Sequence, residues 1–215
     1  AYVDFTRAFD SVSHDKWLLK LQSYGFGGPL LEWIKNFLSD RKHCTRVGEA
    51  LSDYAPIISG VIQGSCLGPL LFLLYINDLP DIFDRSVTVK LYADDVKIYS
   101  VIGSRIDCNN FQVNLTKLYS WSTQWQLSIS YNKCGIVHVA APSWFTANED
   151  RLTYELGNNT LRSQVSVKDL GVTIDQSLKF SEHLTNICKA AHSRANLIVR
   201  CFASGDSESM LKAFK

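Results

Sequence analysis

The chain has 215 residues, of which 46% are hydrophobic and 20% charged, and its formal net charge at pH 7 is +1. This composition is ordinary for a globular protein with a buried core, and no apolar run reaches the ~18 residues that a membrane-spanning helix needs. The six cysteines are scattered without a C-x-x-C pair, which argues against a zinc site and predicts reduced thiols in an intracellular protein.

The first predicted element is a short apolar strand, Ala1–Phe5, which contains one acid, Asp4. An acid in an apolar strand is costly unless it is paired or bound to a metal. Ser13 then predicts the start of a helix, and Pro29 fits the first turn of a second helix. Apolar side chains recur at helical spacing in both helices, which favours a core role for Trp17, Leu18, Leu21, Tyr24, Leu30, Ile34, Phe37 and Leu38.

The pair Gln63-Gly64 opens a loop into a helix predicted over residues 67–77, with Pro69 in its first turn. This helix is apolar on all sides, so we expect it to be buried. A glycine at position 64 lets the backbone come close to a ligand, although a plain turn into the helix explains the same residues.

Two alternating apolar runs on either side of Asp94-Asp95 predict a β-hairpin with this pair at its tip. If the first strand lies beside this hairpin, Asp4 faces both acids and three carboxylates converge. Oxygen ligands suit Mg²⁺, and two such ions about 3.5–4 Å apart clamp an in-line phosphoryl transfer. The alternative is a solvated turn, because Asp is favoured in turns for its own hydrogen bonding.

The second half of the chain alternates helices with short strands. A long helix is predicted from the spacing of Phe111, Leu115, Leu118 and Trp125. A turn follows at Asn132-Lys133, and then a strand with Ile136, Val137 and Val139. We further predict a loop at 142–150, a hairpin at 154–161 and a strand at 170–174. The last helix starts at Ser181 and is expected to bury Leu184, Ile187, Ala191, Leu197 and Phe202.

Three stretches resemble, in order and spacing, the palm motifs of non-LTR (LINE-type) retrotransposon reverse transcriptases. They are Asp4-Phe5-Thr6-Arg7-Ala8-Phe9-Asp10, Gly60-Val61-Ile62-Gln63-Gly64-Ser65-Cys66-Leu67-Gly68-Pro69-Leu70-Leu71-Phe72 and Tyr92-Ala93-Asp94-Asp95. Any one of them is weakly specific, but the three together are highly specific. Weaker likeness continues through Asn132-Lys133-Cys134 and Leu170-Gly171-Val172, so the resemblance covers nearly the whole chain. Cys134 stands where the family usually has threonine.

The resemblance implies an α+β fold, the polymerase palm, in which an antiparallel sheet has helices packed on one face. Residues 1–178 would form the palm, with partial fingers elements at 13–58, and residues 179–215 would start the thumb. The fingers would be mostly absent and the thumb incomplete, so we expect the chain to be a fragment of a longer reading frame.

The same resemblance implies an RNA-directed DNA polymerase that transfers a dNTP to a primer 3′-hydroxyl by two-metal catalysis. The implied catalytic residues are Asp4, Asp94, Asp95 and Lys133. The implied ligands of two Mg²⁺ ions, for which Mn²⁺ can substitute, are Asp4, Asp94, Asp95 and the backbone carbonyl of Phe5. The implied substrate-binding residues are Phe5, Ala8, Phe9, Gln63 and Gly64.

Several of these residues have a specific implied role. Lys133 would protonate the departing pyrophosphate, while Gln63 and Gly64 would contact the incoming nucleotide and the template. Phe9 would exclude a ribose 2′-hydroxyl, with Ala8 lining the same pocket. A core aromatic is the alternative for Phe9, and both roles can hold together.

The implied partners are an RNA template, a DNA primer and dNTPs, with no membrane, and the implied location is the nucleus and cytoplasm, in a ribonucleoprotein. Two alternatives stay open: an inactive retrotransposon-derived relic, and a non-catalytic RNA-binding or interaction scaffold. The near-neutral charge lacks the basic footprint usual for a nucleic-acid enzyme. The presence of all three acids argues against the relic. The lack of a pattern of exposed strand aromatics with basic flanks argues against an RNA-binding sheet.

Overall fold

The computed structural model describes residues 1–140, 153–201 and 206–214. Contacts divide the chain into two compact units, and the first contains residues 1–136 and 153–162. The remaining described residues belong to the second unit. The predicted loop at 142–150 and the predicted buried side chain of Phe202 lie outside the described residues. The division into palm and thumb at residue 178 stays a prediction.

Both units mix helices with short antiparallel strands, which agrees with the predicted α+β class. The helices of the first unit are α1 (Ala8–Ser11), α2 (His14–Ser23), α3 (Gly28–Leu38), α4 (Gly68–Ile76) and α5 (Arg105–Gln124), with a 3-10 helix at Leu79–Ile82. Its strands are β1 (Tyr2–Val3), β2 (Lys42–His43), β3 (Arg46–Val47), β4 (Ala50–Leu51), β5 (Ala55–Pro56), β6 (Thr88–Tyr92), β7 (Asp95–Tyr99), β8 (Glu155–Leu156) and β9 (Asn159–Thr160). The second unit contains β10 (Ser166–Asp169), β11 (Val172–Asp175), α6 (Ser181–Cys201) and α7 (Ser207–Phe214). Strands β8 and β9 confirm the predicted hairpin at 154–161.

Among the described residues, no helix combines the length and the apolar character that crossing a membrane requires.

The centre of the first unit is an antiparallel sheet of order β1-β7-β6. Tyr2 pairs with Lys97, and Val3 pairs with Val96. Because successive side chains of a strand point to opposite faces, Val3 and Val96 share the core-facing side, where both are buried. The first strand therefore lies beside the hairpin, which is the condition under which Asp4 was predicted to face the two acids.

Helix α5 supplies much of the core. It begins with a capping box, in which the Ser104 hydroxyl accepts from the Asp107 backbone N–H and the Asp107 carboxylate accepts from the Ser104 backbone N–H. Phe111, Leu115 and Leu118 recur along one side and are buried in the same cluster as the core face of the sheet. The predicted long helix is confirmed, and so is its buried stripe from Phe111 to Leu118, whereas Trp125 follows the end of the helix and is half-buried.

Helices α2 and α4 pack through a specific polar contact. Ser13 caps α2 as predicted, since its side chain accepts from the Lys16 backbone N–H. Trp17 is buried, and its indole N–H donates to the Leu71 carbonyl in α4 over 2.9 Å. The prediction that α4 is buried on all sides is wrong in part, because Leu70 is 51% exposed. The core reaches only one side of this apolar helix.

Lys20 is a buried charge that the sequence analysis did not predict, with only 2% of its surface exposed. Its ammonium donates to the Tyr75 carbonyl and the Asp78 carboxylate. It also lies 4.6 Å from the ring centre of Trp121 and 4.0 Å from that of Trp125. Burial lowers the pKa of Lys20 from 10.5 to about 8, although hydrogen bonding to Asp78 favours the charged form. This cluster joins α2, the end of α4 and α5.

Next to β1 the chain after α5 is less regular than predicted. Gly135 and Tyr2 exchange two backbone hydrogen bonds of 3.0 and 2.8 Å. The prediction of a strand with Ile136, Val137 and Val139 is wrong in extent, because residues 137–140 lie in no strand. Alternating apolar residues favour a strand, but a strand also needs a neighbour to pair with over its length.

The second unit departs from two predictions. Leu170 and Gly171 have φ values of 46° and 90° and form the turn between β10 and β11, so the strand predicted from Leu170 starts at Val172. The predicted buried side of α6 is wrong: no residue of this helix, which is described throughout, is buried. Leu184, for example, is 59% exposed. Helical spacing creates an apolar side, but only a packed neighbour buries it.

Candidate active site

The three predicted catalytic acids lie at one end of the β1-β7-β6 sheet. Asp4 follows the last residue of β1, and Asp95 begins β7. Since Val3 pairs with Val96, continuing the antiparallel register by one residue places Asp4 opposite Asp95. The Asp4 side chain is 23% exposed, Asp94 is half-buried and Asp95 is exposed. The sheet thus brings acids of the first and third motifs to the same edge.

The tip of the hairpin is shifted by one residue from the prediction. Tyr92 pairs with Asp95, which leaves Ala93 and Asp94 as a two-residue turn. Ala93 has φ of 51°, a left-handed conformation that is uncommon for alanine but that two-residue hairpin turns demand. The prediction of both acids at the tip is wrong because Val96 faces the core, and that requirement fixes the register.

Phe5 directs its ring and its backbone to different places. The ring is 1% exposed and belongs to the core. The Asp4 carbonyl and the Thr6 N–H hydrogen-bond to residues 128–130 on one side of the chain. Because successive peptide groups of an extended chain point to opposite sides, the Phe5 carbonyl is directed to the other side, where the hairpin with Asp94 lies. This direction suits the predicted ligand role of the carbonyl.

Lys133 forms an ion pair with Asp4 across a sequence separation of 129 residues: its Nζ lies 3.1 Å from Asp4 Oδ1 and 3.2 Å from Oδ2. The backbone holds this contact in place, since Lys133 N–H donates to the Ser130 carbonyl and Ser130 N–H donates to the Asp4 carbonyl. The Cys134 sulfur lies 3.8 Å from the same Asp4 carbonyl oxygen. Burial raises the pKa of the Cys134 thiol, so the thiol stays protonated and can donate where the family usually has a threonine hydroxyl.

The acids share an edge without forming a closed cluster. Within residues 1–140, 153–201 and 206–214, no three His, Cys, Asp or Glu side chains are grouped so that they could hold a metal ion. The donor chemistry at the sheet edge nevertheless suits a hard divalent cation, because it combines the carboxylates of Asp4, Asp94 and Asp95 with the Phe5 carbonyl. Asp4 already attracts one cation, the ammonium of Lys133. The predicted ligand set stays a prediction.

Phe9 is half-buried and stacks on Phe72, with ring centres 4.2 Å apart and planes inclined by 23°. Phe72 is buried in α4, so the second motif fixes the position of the Phe9 ring. Ala8 is 2% exposed and opens the short helix α1. The structure therefore gives Phe9 a core contact, and the substrate-binding roles of Phe9 and Ala8 stay predictions.

Gln63 and Gly64 lie on an exposed loop that the first motif holds. The Gln63 side-chain amide donates to the Asp10 carboxylate over 2.7 Å. Gly60, with φ of 86°, packs so closely that an added Cβ would lie 2.7 Å from the Asp10 backbone. In contrast, a Cβ at Gly64 would meet no atom within 4 Å, so the space beside Gly64 is open, as close approach of a ligand requires. Asp10 belongs to the first motif, but no role was predicted for it.

The sheet face opposite the core is polar and carries exposed aromatic side chains. Tyr92 and Tyr99 are 66% and 46% exposed. Lys90 lies directly opposite Lys97, and the Lys97 ammonium lies 5.4 Å from the ring centre of Tyr2. This pattern was not predicted, although the alternation of residues along β6 and β7 contains it. The face adjoins the edge that carries the acids.

Comparison with known proteins agrees with the motifs. A family profile described as "Reverse transcriptase (RNA-dependent DNA polymerase)" matches residues 1–174. The chain is 30% identical over 201 residues to the RNA-directed DNA polymerase from mobile element jockey of Drosophila melanogaster, covering 90% of this chain and 21% of that protein. It is 31% identical over 204 residues to the probable RNA-directed DNA polymerase from transposon BS of the same species, covering 90% and 22%. A third relative, the probable RNA-directed DNA polymerase from transposon X-element of that species, is 28% identical over 195 residues, covering 86% and 20%. The chain thus spans about a fifth of the length of these curated relatives.

Proposed function

The chain belongs to the reverse transcriptase family, and we propose that its first unit is the palm of an RNA-directed DNA polymerase of the non-LTR retrotransposon type. The reaction joins a dNTP to a primer 3′-hydroxyl under the direction of an RNA template and releases pyrophosphate. The observation that best supports this proposal is the single sheet edge at which Asp4, Asp94 and Asp95 lie, with Lys133 paired to Asp4.

The acids at this edge are the residues that would hold divalent cations. Asp4, Asp94 and Asp95, with the carbonyl of Phe5, supply the oxygen ligands that Mg²⁺ prefers, and Mn²⁺ can take the same ligands. When bound, Mg²⁺ lowers the pKa of a coordinated hydroxyl and neutralises charge on phosphate oxygens. Without a cation, these acids would repel both the triphosphate and the primer phosphates.

Other side chains would orient the substrates and move a proton. Lys133 would donate a proton to the departing pyrophosphate oxygen, because its ammonium pairs with Asp4 at this edge. Phe9, held by Phe72, would exclude a 2′-hydroxyl by its bulk and so favour deoxynucleotides. Gln63 and Gly64 would contact the nucleotide and the template from the exposed loop.

The polar sheet face supports a nucleic-acid partner. Lys90 and Lys97 lie directly opposite each other on paired strands, so this face presents two neighbouring positive side chains. Such side chains can contact the phosphate oxygens of a bound strand. The exposed rings of Tyr92 and Tyr99 add surfaces on which a sugar or base can pack. We therefore place the primer-template duplex on this face.

Primer extension on an RNA template tests the proposal. The 215-residue chain, and in parallel a longer translation product that contains it, would be assayed with a recessed DNA primer, dNTPs and Mg²⁺. We expect Asp94→Asn to lower incorporation about a hundredfold or more, because it removes charge at the point where the reaction develops it. The matched control is Asp84→Asn, since Asp84 pairs with Lys117 away from the predicted site.

The outcome separates the alternatives. Incorporation that survives Asp94→Asn unchanged would contradict the assigned site. A folded protein that binds the duplex, with or without Mg²⁺, but extends no primer in either form would instead favour the inactive relic or the binding scaffold. Equal losses with Asp94→Asn and Asp84→Asn would point to a general effect on folding.

A further inference from the structure

The ion pair between Lys133 and Asp4 involves the atoms that metal binding requires. The Lys133 ammonium lies within 3.2 Å of both Asp4 carboxylate oxygens. A carboxylate offers about four lone-pair positions, and an ammonium placed between the two oxygens covers the bidentate approach. A cation that binds Asp4 through both oxygens must therefore move this ammonium aside.

We propose that Lys133 occupies the Asp4 carboxylate as a built-in cation and that divalent metal binding displaces it. The inference rests on the proposed function, because it takes Asp4 as a metal ligand. It assigns Lys133 a second task besides proton donation: control of the affinity of the site for its metal.

Burial explains why Asp4 holds a cation in this state. The Asp4 side chain is 23% exposed, and the residue before it, Val3, is buried. A carboxylate that has lost much of its water needs a compensating charge or hydrogen bond. The backbone turn at Ser130 places Lys133 where it can supply that charge.

Exposure explains why the ammonium can leave. The Lys133 side chain is 66% exposed, and ion pairs of exposed side chains are weak and screened by salt. Lys133 can therefore exchange Asp4 for water at little cost, whereas a divalent cation at Asp4 carries twice the charge and prefers carboxylate oxygens. The bound cation would also repel the ammonium from the acids.

The exchange would couple metal binding to the availability of Lys133. The same ammonium cannot lie between the oxygens of Asp4 and at the same time meet a departing pyrophosphate. Metal binding would therefore increase the share of the time for which Lys133 is available to the pyrophosphate.

Mn²⁺ binding to the 215-residue chain, followed by the electron paramagnetic resonance signal of free Mn²⁺, tests this without any catalytic assay. We expect Lys133→Met to tighten Mn²⁺ binding about two- to fivefold at low ionic strength, the range that an exposed ion pair accounts for. The gain should shrink as salt is added, because screening weakens the pair in the wild type. Lys133→Gln serves as a second neutral variant.

Matched controls isolate the contact. Lys133→Arg retains the positive charge and should leave the affinity at or below that of the wild type. Lys117→Met removes a half-buried lysine that pairs with Asp84 at 2.7 Å and should change nothing. In an Asp4→Asn background, Lys133→Met should lose its effect, since the two changes act through one contact.

The results distinguish this inference from the proposed function. If Asp4→Asn weakens Mn²⁺ binding while Lys133→Met leaves it unchanged or weaker, the displacement is wrong and the metal site stands. If neither Asp4→Asn nor Asp94→Asn changes Mn²⁺ binding, both the inference and the assigned metal site are wrong. Tighter binding in both neutral variants, lost with Asp4→Asn, supports both.

Discussion

The side-chain amide of Gln63 donates a hydrogen bond to the carboxylate of Asp10 over 2.7 Å, and this contact ties the second motif to the first. An ionised carboxylate only accepts, so the nitrogen end of the Gln63 amide must face Asp10. The loop is held at the same place by Ser59, whose hydroxyl donates to the Asp10 carbonyl over 2.8 Å. Asp10 therefore fixes the side chain that we expect to contact the nucleotide and the template.

We predict that Asp10→Ala raises the KM for dNTP about fivefold with a smaller effect on kcat, since one hydrogen bond of about 1 kcal/mol positions Gln63. Steady-state primer extension would measure both constants. Asp10→Asn keeps an acceptor oxygen and should fall between the wild type and alanine. If both variants lose activity equally, or if the loss lies entirely in kcat, the hydrogen bond to Gln63 does not explain the role of Asp10.

Gly60 and Gly64 offer a comparison between two causes of destabilisation. Their φ values are nearly equal, 86° and 83°, so alanine is strained in the backbone at both, by about 1–2 kcal/mol. Only at position 60 would the added Cβ strike the Asp10 backbone. We expect Gly60→Ala to cost at least about 2 kcal/mol more in the free energy of unfolding than Gly64→Ala. Urea unfolding measures the difference, and equal costs would show that the loop moves freely away from Asp10.

Sequence reasoning located most of the sheet edge because the motifs themselves carry its strands. One apolar strand and one alternating pattern predict the two elements, and Asp4 faces the hairpin if they lie side by side. The pairing of Val3 with Val96 meets that condition. The turn was predicted one residue too late in the chain, because aspartate is typical of turns and the alanine at position 93 is not. The core position of Val96 overrides that local preference.

Long-range contacts account for what the sequence did not predict. The ion pair of Lys133 with Asp4 depends on how the chain near Ser130 runs beside β1, which no local pattern records. Lys20 was assigned to no role because a lysine on a helix is usually solvated, yet it is buried among three aromatic rings. The prediction that α6 has a buried side is wrong for the same reason, since the apolar side of a helix does not reveal what packs on it.

Lys20 should make stability depend on alkaline pH. In the folded state burial lowers its pKa from 10.5 to about 8, so between these values the unfolded chain binds the proton and the folded chain does not. Stability therefore rises with pH across this window, by about 3 kcal/mol in total. By pH 9.5 about 2 kcal/mol of this rise is complete. We therefore expect urea unfolding between pH 8 and 9.5 to show the wild type gaining about 2 kcal/mol relative to Lys20→Met.

The pH range of this measurement ends at 9.5 because the ionisation of Tyr75 lowers stability at higher pH. Burial raises the pKa of Tyr75, so above pH 10 the unfolded chain loses the phenolic proton first and stability falls. Lys117→Met, which removes a half-buried lysine, is the control and should retain the rise. A rise of equal size in Lys20→Met would show that another group causes it.

Phe9 should govern both sugar selection and packing, and two variants separate these roles. Phe9→Val removes the ring, so we expect it to admit ribonucleotides and to destabilise the fold by about 1–3 kcal/mol through the lost stack on Phe72. Phe72→Leu removes the same stack but keeps the Phe9 ring, so it should cost similar stability with less change in selection. Primer extension with dNTP and rNTP in competition, alongside urea unfolding, measures both effects. If Phe9→Val leaves the dNTP/rNTP ratio of an active enzyme unchanged, Phe9 is a core aromatic only. If both variants lose the preference for dNTP to the same extent, packing sets the selection, and not the bulk of the ring at position 9.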